Sequence, residues 1–206
     1  MEECIKGEFV TFKRMVSNVQ VDCWHNCAPR EELHVEDIVR EVVGSVGCSS
    51  VFANVSRVVA DLNREVSEQN KEAILEYREV LKGNLCLNGY LKRPYLLIVL
   101  HGMKNREGKD VEIGTREGEL ARPEVVEWFV GRMKEKFSES KVVVDDEFKG
   151  PSILKHYRHG NDFFEGFGEN LNIFQVELSR DLRENSREEV VEKIVEVVGE
   201  FERKFV

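Results

Sequence analysis

Apolar and polar positions along the chain change period several times, and each change marks an element. Residues 96–100 (LLIVL) form an unbroken apolar run, with Pro94 before it and His101-Gly102 after it. Such a run reads as a strand buried on both faces. Alternating or β-branched stretches at 8–14, 19–23, 51–55, 58–59, 141–144 and 173–178 read as further strands, and 111–115 (VEIGT) as a short extended piece. Ser17-Asn18 offers a turn, so 8–14 and 19–23 are expected to form a hairpin. A helical period occurs in four places. Pro29, followed by Glu31 and Glu32, opens an expected helix over 29–43, striped with Leu33, Ile38, Val42 and Val43. Ser67 caps a second over 67–82, with Ala73, Ile74, Tyr77 and Leu81 inward and Gly83-Asn84 as its stop. Two more run over 123–137 and 186–205. Residues 148–169 carry four glycines and read as a long irregular loop.

Strands and helices alternate from the middle of the chain onward. The expected architecture is therefore α/β: three layers, with a mixed, largely parallel sheet and helices on both faces. A length of 206 residues favours one domain, 1–206. The formal charge of -9 argues against nucleic acid or an anionic membrane as partner. No stretch has the ~18–20 apolar residues of a membrane span. The first residues lack an apolar targeting core, so a cytoplasmic location is expected. The five cysteines are then expected to be reduced thiols. Cys23 and Cys27 flank His25, but no second cysteine pair completes a structural zinc site.

The candidate chemistry sits at strand ends. His25 follows VQVDCW, His101 follows LLIVL, and Glu177 lies within FQVEL. In open α/β sheets ligands bind at that edge. Two histidines and a carboxylate around an open position make a catalytic zinc site. A further carboxylate serves as general base for the bound water. The segment SRVVADLNR adds Arg57, Asp61 and Arg64, and a guanidinium fork suits a substrate carboxylate. Plainer roles stand beside these: Arg57 and Arg64 as structural partners of Asp61, Glu177 paired with Arg180, and His156 and His159 as solvated loop residues. Asp110 and Glu112 are expected to orient the loop rather than to act in chemistry.

Three blocks together carry a resemblance. SRVVADLNR (56–64), HGMKNREGKDVEIGT (101–115) and FQVELSRDLR (174–183) occur in one order and span most of the chain. The chain resembles the N-formylglutamate amidohydrolases, whose fold is zinc-carboxypeptidase-like. The resemblance implies zinc-assisted hydrolysis of an amide near a carboxylate, in a small acyl-amino acid or a peptide-like substrate. By position, His101 matches a metal ligand and Glu177 the general base. Asn63 and Arg64 match the pair that holds the substrate carboxylate, with Arg57 as a second candidate. The family opens with a Pro-His-Ser/Gly-Gly type motif; here Trp24-His25-Asn26-Cys27-Ala28-Pro29-Arg30-Glu31-Glu32 stands instead. His25 and Glu31 are the expected remaining ligands, with Glu32 and the pair His34/Asp37 in reserve. The rival reading is a non-enzymatic amino-acid or peptide binder on the same fold, with a decayed metal site.

Overall fold

The apolar run at 96–100 forms the middle of a strand of eight residues, and the sheet is built outward from it. The structure is a computed structural model and describes residues 4–89 and 92–206. In chain order its elements are β1 (Ile5–Lys6), β2 (Val10–Lys13), β3 (Val19–Cys23), α1 (Val35–Val46), β4 (Ser50–Ala53) and α2 (Lys71–Leu87). There follow β5 (Tyr95–Gly102), β6 (Val111–Gly114), α3 (Pro123–Lys136), β7 (Val142–Val144), α4 (Ser152–His159), β8 (Leu171–Leu178), α5 (Arg180–Asn185) and α6 (Arg187–Phe205). The strands form one mixed sheet of order β1-β2-β4-β3-β5-β8-β6-β7. The central four, β4, β3, β5 and β8, are parallel. β2 and β6 join their flanks antiparallel.

Both faces of the sheet are covered. On one, Leu96, Ile98 and Leu100 of β5 and Val19 and Val21 of β3 pack with α1, α3 and α6. On the other, Leu97, Val99 and Ile173 meet α2 and α4 through Ile74, Tyr77, Leu81 and Tyr157. This is the three-layer α/β arrangement, and it follows from central strands that are apolar on both sides.

Several local expectations fail for physical reasons. No hairpin joins β2 to β3, because β4 lies between them. Every residue of β3 is buried, so it is a central strand that needs a partner on each side. The first helix begins at Val35 rather than Pro29, since Arg30 (φ 72°) and His34 (φ 67°) are left-handed and break any helical path between. Val58 and Val59 form a turn with both side chains about half exposed. Gly83 does not end α2; it lies within it, where the Arg14 side chain crosses so closely that a β-carbon would collide. The expected loop at 148–169 contains α4, which buries Ile153, Leu154 and Tyr157.

A buried polar network, Asp22 with Gln20 and Asn84, lies inside the α2-side core. Asp22 is fully buried, and its carboxylate accepts from Val51 N (2.8 Å), Tyr77 Oη (2.8 Å), Gln20 Nε2 (2.9 Å) and Trp24 Nε1 (3.4 Å). The Val51 contact ties β3 to β4 between their two paired positions, Gln20 with Ser49 and Cys23 with Phe52. Burial pushes the Asp22 carboxyl up to about 7, against the pull of its four donors. A folded pKa above the unfolded one means that the group's contribution to stability is full in acid. It is lost as pH rises toward about 7. Denaturant unfolding between about pH 5 and about pH 8 should therefore show the wild type losing stability relative to Asp22→Asn, which cannot ionise. Parallel stability curves for the two proteins would show that Asp22 has an ordinary carboxylate pKa.

Candidate metal centre and active site

The carboxyl edge of the central strands gathers side chains from four separate segments. His25 follows the end of β3, and His101 is the seventh residue of β5. Glu32 arrives on the left-handed turn before α1. That turn is pinned when the Glu32 N–H donates to the His25 carbonyl at 2.7 Å. Asp61 and Arg57 come from the loop after β4.

Glu32 is the hub. Its Oε1 lies 2.9 Å from His25 Nδ1 and accepts from Arg57 Nη2 at 2.8 Å. Its Oε2 lies 3.1 Å from His101 Nδ1 and accepts from the Gly102 N–H at 2.9 Å. The far nitrogen of His25 lies 2.9 Å from Asp61 Oδ1, which also accepts from the Asn63 N–H. Burial alone would raise the Glu32 pKa. The charges and hydrogen bonds of His101 and His25 overcome it and hold that carboxyl far below the usual range. For His25, burial acts to lower the pKa, but the hydrogen bonds of Asp61 and Glu32 win and raise it. Asp61 is lowered in turn, as His25 outweighs its burial.

Ligand atoms of His25, Glu32 and His101 all lie within 4.8 Å of one another, the one such cluster of three or more among the described residues. Two imidazoles and a carboxylate are a donor set that suits zinc and leaves a coordination position open. Asp61 supplies an outer carboxylate that orients the His25 ring. By donor chemistry and proximity the residues fit the metal.

Glu177 stands directly across the ladder from His101, on β8. It is buried at 5% exposure and carries one side-chain hydrogen bond, from Gln175 Nε2 at 2.9 Å. Burial, helped by the Glu32 and Glu112 charges, raises its pKa to about 7 against the pull of His101 and Gln175. On its other side Glu177 pairs with Glu112 of β6. Glu112 is fully buried and bonded to Lys109 Nζ at 2.7 Å. Its other oxygen accepts the Glu147 and Phe148 N–H groups, fixing the segment that walls the far side of the cleft. Gly114 has no side chain because the Phe148 carbonyl occupies that space. The cleft so formed has a volume of about 620 Å³.

The structure brings together most of the residues singled out in the sequence, with some changes. Glu31 is exposed and lies outside the cluster, where Glu32 takes its place, because the left-handed Arg30 turns the chain before it. Arg57 lines the cleft and donates from Nη2 to Glu32 at 2.8 Å. Arg64 is 77% exposed at the mouth, 3.5 Å from Asp61. Asn63 reaches Gln175 Oε1 at 3.5 Å. His156 and His159 lie outside the cleft, beside Glu65 and Glu169. His34 and Asp37 pair with each other on the surface. Sequence reading assigned no role to Gln175, although its spacing of two from Glu177 puts both on one strand face. It also left Asp61 without its role as partner of His25.

Sequence comparison finds no matching family model and no matching curated protein. Structural comparison defines a shared fold. The chain is similar to N-formylglutamate amidohydrolase from Ralstonia eutropha JMP134, with TM-score 0.69 and 16% identity over 95% of this chain and 99% of that one. It is similar to the gene product Atu2144 from Agrobacterium tumefaciens, with TM-score 0.66 and 12% identity over 94% of both chains. It is also similar to a bacteriophage poly-gamma-glutamate hydrolase, with TM-score 0.55 and 15% identity over 96% of this chain and 91% of that one.

The hub position of Glu32 has a measurable consequence in the metal-free protein. Glu32→Ala strands two buried imidazoles and a backbone N–H, so a loss of about 3–5 kcal/mol is expected, the size of breaking a buried ion pair. The exposed Glu31→Ala should change stability by no more than about 0.5 kcal/mol. Chemical denaturation of the two variants side by side checks this, and equal effects would place Glu31 in the cluster after all.

Proposed function

We propose that this chain is a zinc-dependent amidohydrolase. Its substrate is a small amide that bears a carboxylate, such as an N-acyl amino acid or a short peptide-like molecule. The observation that carries the reading is the meeting of the His25–Glu32–His101 cluster with a buried carboxylate, Glu177, which lies directly across the ladder from His101 and has no ion-pair partner among the described residues. The fold shared with an N-formylglutamate amidohydrolase and a poly-gamma-glutamate hydrolase supports it. The cleft lining carries both signs of charge: Arg57, Arg64, Lys104, Arg106 and Lys149 stand with Glu32, Asp61, Glu147 and Glu177, and a substrate carboxylate would meet the basic members.

His25, Glu32 and His101 would hold the metal, and Asp61 would keep the His25 ring oriented. Bound there, zinc supplies Lewis-acid polarisation of the amide carbonyl and lowers the pKa of a bound water toward ~7. Glu177 accepts the proton of the attacking water and returns it to the leaving nitrogen. The new C–O bond and the broken C–N bond thus balance without another proton carrier. Arg64 and Asn63, at the mouth and wall of the cleft, hold the substrate carboxylate. Arg57 first serves Glu32, and its second role is to meet that carboxylate. No helix among the described residues is long and apolar enough to cross a membrane. We place the enzyme in the cytoplasm, where free thiols like those of Cys23, Cys27 and Cys48 persist.

One observation favours the rival reading of a metal-free binding protein. Glu32 is already satisfied by two histidines, Arg57 and the Gly102 N–H. Metal content separates the two. Protein reconstituted with zinc should hold one equivalent, and His101→Ala should lose it together with hydrolysis of N-acyl amino acids. Glu177→Gln should keep the zinc and lose turnover at least ~100-fold, the size of a general-base contribution. Reconstituted wild type that retains no zinc, and is unchanged by either substitution, would hand the site to the binder.

A further inference from the structure

We propose that Gln175 is the positioning residue of the general base, holding one oxygen of Glu177 so that the other faces the reacting water. The inference rests on the reading of Glu177 given above. Gln175 and Glu177 are two apart on β8 and so point to the same face. Both side chains are buried, at 3% and 5% exposure, and both line the cleft. Gln175 donates from Nε2 to Glu177 Oε1 at 2.9 Å. Among the described residues Glu177 Oε2 has no hydrogen-bond partner, so it is the oxygen left for proton transfer.

The backbone beneath Gln175 is fixed from both sides, paired with Val99 of β5 and Gly114 of β6. Its side chain is therefore a short arm on a rigid mount. A glutamate has three side-chain torsions, and burial alone does not choose among them. The hydrogen bond does, because the Gln175 donor sits on one oxygen only.

The amide has a second end. Its Oε1 accepts from Asn63 Nδ2, a long contact at 3.5 Å. Asn63 donates its backbone N–H to Asp61, and Asp61 faces His25. The base on β8 and the loop that holds Arg64 are thus joined through one side chain. Among the described residues Gln175 makes its side-chain hydrogen bonds to Glu177 and Asn63 and none to His25, Glu32 or His101, so its removal should spare that cluster.

The test compares Gln175→Met, which keeps length but has no donor, and Gln175→Glu, which keeps shape but replaces the donor with an acceptor. Zinc-loaded protein turning over an N-acyl amino acid should lose kcat roughly 10- to 100-fold in both, the usual scale for an outer hydrogen-bond partner. KM should stay within about threefold and zinc affinity, read by chelator competition, should not move. A merely structural residue would alter melting temperature and zinc retention together with kcat. A crystal structure of Gln175→Met gives a readout free of turnover: the Glu177 carboxylate should leave its present rotamer. Glu177 unmoved in that structure overturns the proposal whatever the activity. Unchanged kcat in Gln175→Met, with Glu177→Gln inactive, overturns it while leaving the hydrolase reading intact. An active Glu177→Gln would instead overturn the reading of Glu177 as base, and the proposal with it.

Discussion

The site depends on keeping one carboxylate, that of Glu32, ionised where water hardly reaches it. Its side chain is only 10% exposed, a costly place for an anion without partners. Four donors from three segments meet that cost: His25 after β3, His101 and Gly102 on β5, and Arg57 on the loop after β4. Each donor is useless to Glu32 unless its segment is in place. The carboxylate therefore links strand ends that the sheet alone would bring only near each other.

The sheet sets the second half of the arrangement. β5 and β8 run parallel in register for eight residues, which lands His101 beside Glu177. β6 returns antiparallel and lands Glu112 on the other side of Glu177. Three ionisable residues thus occupy one row across three strands, and only their partners differ. His101 faces Glu32 and Glu112 faces Lys109, but Glu177 has a neutral amide alone. Burial raises the Glu177 carboxyl to about 7, with the Glu32 and Glu112 charges adding to it, and a carboxyl group of that pKa exchanges a proton readily near neutral pH.

How far this was legible in the sequence follows from the range of the forces involved. The 96–100 run, the β-branched stretches and the amphipathic C-terminal helix announce themselves by local period. They led to the α/β class and to the right strand ends for His25, His101 and Glu177. The choice between Glu31 and Glu32 was not legible, because it turns on left-handed φ values at Arg30 and His34, and an arginine gives no sign of adopting one. The strand order was not legible either. β4 enters between β2 and β3 to satisfy a strand buried on every residue, a long-range demand that a plausible turn at Ser17-Asn18 conceals. Val58 and Val59 misled by composition, since their β-branched side chains sit exposed in a turn set by Ser56, whose carbonyl accepts both the Val59 and Ala60 N–H groups.

A shared fold at 12–16% identity shows how little of a particular sequence the fold itself requires. Fold alone does not carry an activity; side chains placed on it do. Here the sheet needs only apolar residues of suitable size at most positions, and many sequences meet that condition. The chemistry needs a few particular groups at strand ends, and each needs a partner that fixes its orientation: Asp61 for His25, Glu32 for His101, Gln175 for Glu177. A loop that changes between His25 and Glu32 can therefore lose the outward look of a motif and still return a carboxylate to the same point in space. What must persist is the delivery of one oxygen pair between two imidazoles, and the Glu32 N–H on the His25 carbonyl achieves that locally. The segment from His25 to Glu32 thus needs no fixed spacing to bring these side chains together, because the constraint acts on atoms in three dimensions and not on position along the chain.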